Sequence, residues 1–210
     1  IGNCQTSQSM AIYYDVFDEA EKQKAFEVLV DIIEQGNEYI DFGFVGIMSI
    51  FRVLCDYGRA DLAYKMIART DYPSFGDWVK RGFTSMPERF FKEGEFPDSL
   101  NHHAFADISA IFIEYFAGIK VNPYCDDCKE INVEPCFVKA LTSASAFYES
   151  VCGRVSVKWE RTFSGIKLSV EKPDENYGEI KLPFGYKFAD TQRSQHKLES
   201  GIFEIEEINK

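Results

Sequence analysis

The apolar residues of this chain change their repeat once, near Gly118, and that change limits the fold more than any other property of the sequence. Before it they recur every three to four residues, which lines one side of a helix. After it they alternate in steps of two, which lines one face of a strand. Ala25, Val28, Leu29, Ile32 and Ile33 follow Asp18-x-x-Glu21, a capping-box pattern, and Gly36 is placed to end that helix. Phe44 to Tyr57 is apolar on most sides (Val45, Ile47, Met48, Ile50, Phe51, Val53, Leu54), which predicts a helix buried nearly all round and stopped by Gly58. Arg59 to Arg69 predicts another, with Leu62, Met66 and Ile67 inward, broken by Asp71-Tyr72-Pro73-Ser74. A last long helix is predicted from about Asn101 to Phe116, with Phe105, Ile108, Ile111, Phe112 and Tyr115 on one side.

Beyond Gly118, Val155-Ser-Val-Lys-Trp159 and Ile166-Lys-Leu-Ser-Val170 alternate strictly. Pro173 to Gly178 is a turn cluster, and Ile180-Lys-Leu182 and Ile202-Phe-Glu-Ile205 are further short strands. The expected class is therefore α+β with the two kinds of element segregated, the second part being an antiparallel sandwich or a similar β module. Residues 1–120 and 121–210 form the expected domains, joined near Val121-Asn-Pro-Tyr-Cys-Asp-Asp-Cys128. Five or six helices with apolar surface on more than one side leave faces uncovered. They are expected to be the closing part of a larger all-helical toroid. In keeping with that, Ile1-Gly2-Asn3-Cys4 has no initiator Met and no signal pattern, and reads as a cut into a longer protein.

Charge narrows the partners. A formal net charge of −11 with no Lys/Arg cluster repels phosphate backbones, so nucleic acid is not expected as a partner. No run of eighteen apolar residues exists to span a membrane, and localisation is left open. The six cysteines (4, 55, 125, 128, 136 and 152) are scattered. Cys55 reads as a buried thiol. Cys125-Asp-Asp-Cys128 with Cys136 and Cys152 admits a metal site, a disulfide or incidental thiols, but zinc ribbons pair two CxxC knuckles and here there is one, so no metal is expected.

The chemistry-bearing stretch is Thr84-Ser85-Met86-Pro87-Glu88-Arg89-Phe90, followed by Leu100-Asn101-His102-His103-Ala104-Phe105. It holds a carboxylate, an Arg and two of the three histidines, in a chain that is 15% aromatic. Hydrolysis of a neutral sugar uses such a set: a carboxylate to activate water, apolar walls against the sugar's CH faces, and Asn/His for hydroxyls. It normally needs a second carboxylate. By position alone Glu88 is equally a surface carboxylate paired with Arg89 or Lys92, and His102 and His103 a local pair at a helix start. Asp77 and Trp78 read either as subsite or as core, and Asp41 as a residue near a barrel mouth.

The order of motifs carries a resemblance. Gln5-Thr6-Ser7-Gln8 opens a helix, then come Phe42-Gly43-Phe44-Val45-Gly46, Asp56-Tyr57-Gly58-Arg59-Ala60-Asp61-Leu62-Ala63-Tyr64 and Asp71-Tyr72-Pro73-Ser74-Phe75-Gly76, and finally the Glu88 and His102 motifs. This series resembles the C-terminal part of bacterial α-L-rhamnosidases of glycoside hydrolase family 78, over roughly residues 5–160. The resemblance implies the second half of an (α/α)6 barrel leading into a β-sandwich. It implies Glu88 as general base of an inverting reaction and His102, with Asn101 beside it, as sugar contacts. Trp78, Phe44 and Tyr72 would shape the pocket, with no metal or organic cofactor. The substrate would be a rhamnose-containing glycoside, oligosaccharide or polysaccharide, and the general acid would come from an upstream half of the same polypeptide. Two positions depart from the family pattern: Pro87 stands where a Trp usually precedes the catalytic Glu, and Phe75 where the Pro-Ser-Trp-Gly turn has Trp. A non-catalytic carbohydrate-binding module, or a cysteine-based metal or interaction module, are the competing functions.

Overall fold

The structure, a computed structural model, describes residues 2–208; Ile1 lies outside them. It divides into two compact units, one ending at Ser109 and one beginning at Ala110. Among the described residues no helix is long and apolar enough to cross a membrane.

The first unit is helical: α1 (Gln5–Tyr13), α2 (Glu19–Gln35), α3 (Ile47–Asp56), α4 (Ala60–Ala68) and α5 (Phe75–Lys80). The Glu21 carboxylate accepts the Asp18 backbone N–H at 3.4 Å, the reciprocal half of the capping box read from the sequence. Gly36 does end α2, but with φ −79°; the left-handed turn is made by Asn37 and Glu38. Only Met48 and Asp56 of α3 are exposed, so that helix is buried almost all round, and Gly58 at φ +75° ends its reversal. The core carries deliberate polar pins. Gln5 donates to the Tyr39 carbonyl at 2.8 Å and accepts the Asp41 N–H at 3.0 Å, which fixes the loop ahead of Phe44. Ser9 and Ser49 hydroxyls bond at 2.9 Å between α1 and α3.

One expectation needs correction. The segment predicted as a long helix from Asn101 starts two residues later, as a 3₁₀ turn over His103–Asp107. One α turn, α6 (Ile108–Ile111), and a π turn over Phe112–Ala117 follow. The reason lies at both ends. The His102 ring accepts the Ala104 N–H at 3.3 Å, which tightens the start. At the other end Tyr115, Phe116 and Ala117 are buried in succession, which one stripe of a regular α-helix does not accommodate.

Among the described residues the second unit holds nine strands: β1 (Ile119–Val121), β2 (Ile131–Val133), β3 (Ser143–Ser150), β4 (Gly153–Arg161), β5 (Ile166–Glu171), β6 (Glu179–Lys181), β7 (Tyr186–Phe188), β8 (Gln195–Lys197) and β9 (Gly201–Glu207). They form a four-stranded sheet, β1-β2-β6-β8, and a five-stranded sheet, β3-β4-β5-β9-β7. All pairs are antiparallel except β2 with β6, where Val133 faces Ile180 in parallel. Three of the four strands read from the sequence lie within β4, β5 and β9, and the fourth, Ile180–Leu182, overlaps β6, which ends one residue earlier at Lys181. Of the predicted joint, Val121 ends β1 and the residues from Asn122 to Cys128 lie in the β1–β2 connection. Inward residues of both sheets, among them Ile131, Val133, Ile180, Val157, Trp159 and Leu168, make one core, as in a sandwich. The Trp159 Nε1–H donates to the Phe116 carbonyl at 2.6 Å, so its indole is buried without an orphaned donor.

Candidate functional site

Two chain segments of the first unit are laced side by side. The Ser85 hydroxyl donates to the Leu100 carbonyl at 2.5 Å, the His102 N–H to the Met86 carbonyl at 2.7 Å, and the Glu88 N–H to the Ser99 carbonyl at 3.1 Å. These bonds bring Glu88 and the Asn101-His102 pair together across fourteen positions of sequence. Pro87 is buried between them, where its missing N–H leaves no donor unpaired.

Glu88 is half-buried. Its Oε1 accepts the Asp98 backbone N–H at 2.7 Å, and Oε2 has no partner among the described residues. A carboxylate held by one oxygen and open at the other is oriented yet able to accept a proton. Arg89, which by position alone could pair with Glu88, faces Glu95 at 3.7 Å and donates to the Phe96 carbonyl at 3.2 Å. The backbone of Asp98 holds Glu88 instead. Because His102 Nδ1 accepts the Ala104 N–H, the neutral ring carries its proton on Nε2, a hydrogen-bond donor. Phe44, half exposed at 53%, packs its ring 5.7 Å from His102, and His103 stacks on His102 at 5.2 Å. The Asn101 side chain is exposed, and its backbone N–H bonds the Ser99 hydroxyl at 3.3 Å.

The other two proposed pocket residues lie elsewhere in this unit. Trp78 is 2% exposed and stacks on Phe90 at 4.5 Å, with Phe75 and Phe105 edge-on. Its ring belongs to an aromatic core beneath the Glu88 segment, and its Nε1 has no partner among the described residues. Tyr72 lines a cleft of about 510 Å³ together with Asp77, Lys80, Arg81, Lys92 and Glu93, a lining that includes none of Glu88, Asn101, His102 and Phe44. Asp41 is exposed beside Gln5.

Sequence reasoning missed Ser85, Asp98, Arg52 and Asp107 as positioning residues. Arg52 was visible as a charge in the middle of an apolar run. Ser85 bonds a backbone carbonyl and Asp98 acts through its own backbone N–H, and neither leaves a signal in residue type.

The cysteines remain thiols. Cys125 donates to Asp127 at 2.9 Å and lies 3.7 Å from the Tyr177 hydroxyl. The thiol's hydrogen bond holds the Asp127 carboxyl below its ordinary range and, with burial and Asp127, pushes the Tyr177 phenol up. No group of three or more His, Cys, Asp or Glu among the described residues is placed to hold a metal.

Known proteins give this geometry a context. Residues 1–116 match the model of the bacterial alpha-L-rhamnosidase 6 hairpin glycosidase domain, and residues 118–197 that of the bacterial alpha-L-rhamnosidase C-terminal domain. An alpha-L-rhamnosidase of Formosa agariphila is 32% identical over 186 residues, 85% of this chain and 20% of its own length. One of Streptomyces avermitilis is 27% identical over 87% of this chain and 18% of its own. Among solved structures, an alpha-L-rhamnosidase from Dictyoglumus thermophilum superposes with a TM-score of 0.83 at 26% identity, over 96% of this chain and 25% of that one. One from Aspergillus terreus gives 0.81 at 26%, over 98% and 24%. The chain thus spans about a fifth of the length of the curated relatives it matches. The helical unit corresponds to part of a six-hairpin barrel and the β unit to the domain that follows it.

Proposed function

The chain belongs to the bacterial α-L-rhamnosidase six-hairpin glycosidase family, and on that premise we propose that it carries the water-activating side of an inverting rhamnosidase site. Residues 1–120 supply the closing portion of the barrel and residues 121–210 the trailing sandwich. Glu88 takes a proton from the attacking water through its open Oε2 while the Asp98 amide holds Oε1. His102 donates from Nε2 to a sugar hydroxyl, Asn101 adds a further donor and acceptor, and Phe44 offers an apolar face. The substrate is a terminal α-L-rhamnosyl group on a glycoside, oligosaccharide or polysaccharide, the reaction that the relatives' names carry.

Inversion requires an acid roughly 6.5–9.5 Å from the base, with room for water between. The proposal assigns that acid to the part of the relatives' length that this chain does not span. The observation that supports the reading is the backbone lacing of Met86–Glu88 to Ser99–His102, which joins the segment of a half-free carboxylate to that of an imidazole with a hydrogen-bond-donating Nε2.

Glu88→Gln in the complete enzyme is expected to lower turnover of an aryl α-L-rhamnoside by about 10²–10⁴-fold, the usual contribution of a general base. Circular dichroism should stay unchanged. The first-formed sugar, followed by NMR, is expected to be the β anomer. Near-normal turnover of the variant, or first release of the α anomer, would overturn the assignment.

A further inference from the structure

We infer that the cleft at Tyr72 is a subsite for an acidic sugar unit, one bearing a carboxylate or a sulfate ester. This rests on the glycosidase reading and deepens it, by naming the class of a second sugar unit bound in the same helical unit.

The cleft measures about 510 Å³, within the usual size of small-ligand sites. Tyr72 contributes an exposed ring, at 39%, suited to the CH face of a pyranose. The Lys92 ammonium lies 5.8 Å from the centre of that ring, at the cleft's rim. Arg81 is fixed: it bonds Asp77 at 3.2 Å and the Phe91 carbonyl at 2.7 Å, and it sits over the Phe91 ring at 4.4 Å. Asp77 is therefore neutralised inside the cleft. Lys80 and Lys92 have no carboxylate partner among the described residues, and Glu93 is the one unpaired acid in the lining. A concave surface with a cation surplus is out of character for a chain of net charge −11, and it is where an anion is drawn. The aromatic face specifies a ring and the ammonium pair an acidic substituent. A bare inorganic anion would use only the second.

The test titrates the full 210-residue chain with digalacturonate, a sulfated galactobiose, neutral galactobiose and inorganic sulfate, reading Tyr72, Lys80 and Lys92 resonances by NMR. One or both acidic disaccharides are expected to bind, the two arms telling carboxylate from sulfate ester. Lys80→Ala with Lys92→Ala should weaken that binding about five- to tenfold, the size of two exposed charge contacts. Lys80→Arg with Lys92→Arg should restore it, and about 0.5 M salt should suppress it. Equal binding of neutral galactobiose, equal binding of inorganic sulfate, indifference to the double alanine variant, or no binding at all would each overturn the inference. None of the probes contains rhamnose and Glu88 does not line the cleft. A failure here therefore leaves the Glu88 assignment standing, and a normally active Glu88→Gln enzyme leaves the binding result readable.

Discussion

Arg52 holds Asp107 with both terminal nitrogens, at 2.5 and 3.1 Å, and Nη1 also donates to the Met48 carbonyl at 2.9 Å. The pair ties α3 to the 3₁₀ turn that begins just after His102, and Arg52 is 8% exposed. Removing Asp107 would take the two-point carboxylate contact from a buried guanidinium. Asp107→Ala is expected to cost about 3 kcal/mol, read as a lowered urea midpoint with an unchanged slope. Loss of less than about 0.5 kcal/mol would mean that the pair merely decorates the fold.

Gly76 is needed for closeness. A Cβ there would lie 2.1 Å from the Arg69 carbonyl oxygen, a backbone atom that cannot step aside. Gly76→Ala is expected to destabilise by about 2–4 kcal/mol. Ser74→Ala, which removes the hydroxyl that accepts the Asp77 N–H at 3.0 Å and caps α5, should cost about 1 kcal/mol. Thermal melts of the two variants should rank in that order.

Asp71 titrates low, at about 2 against an ordinary 3.8. The Arg69 guanidinium hydrogen-bonds it, and the Tyr39 hydroxyl adds a second bond. A carboxylate depressed in the folded state contributes stability that is complete above its unfolded pKa, near 4. That stability is lost as pH falls through 2. The melting-temperature gap between the native chain and Asp71→Asn should therefore be full at pH 6 and close between pH 4 and 2. A gap that widened on acidification would refute the assignment.

Trp159 combines full burial with one hydrogen bond to the Phe116 carbonyl. Trp159→Phe removes volume and the hydrogen bond to that carbonyl. It should cost about 2–3 kcal/mol, measured as a loss of protection from hydrogen exchange in β4 and β5.

What the sequence discloses follows from how local the cause is. α2, α4, β4 and β5 are legible because their apolar residues repeat at the period of the element itself. β3 escapes that reading: Phe147 and Tyr148 are adjacent and both exposed, and the strand is specified by pairing across its whole length with β4. The 3₁₀ and π turns flanking α6 escape for the same reason, since burial of Tyr115 to Ala117 decides them. The motif resemblance singled out Glu88 and His102. Their adjacency, though, rests on backbone bonds between distant segments, and no periodicity records those. The burial of Trp78 and the place of Tyr72 in another cleft are likewise products of packing, invisible in residue type.

The lacing of Ser85–Glu88 to Asp98–His102 closes the neck of a loop, and the side chains of Arg89 and Glu95 spend their polar contacts inside it. Residues 92–96, all exposed, hang beyond that neck as a replaceable cassette. Lys92 and Glu93 belong to it. A lineage could trade one neighbouring sugar for another by rewriting five residues while the base and its histidine stay where they are, so the chemistry would be inherited and the taste acquired.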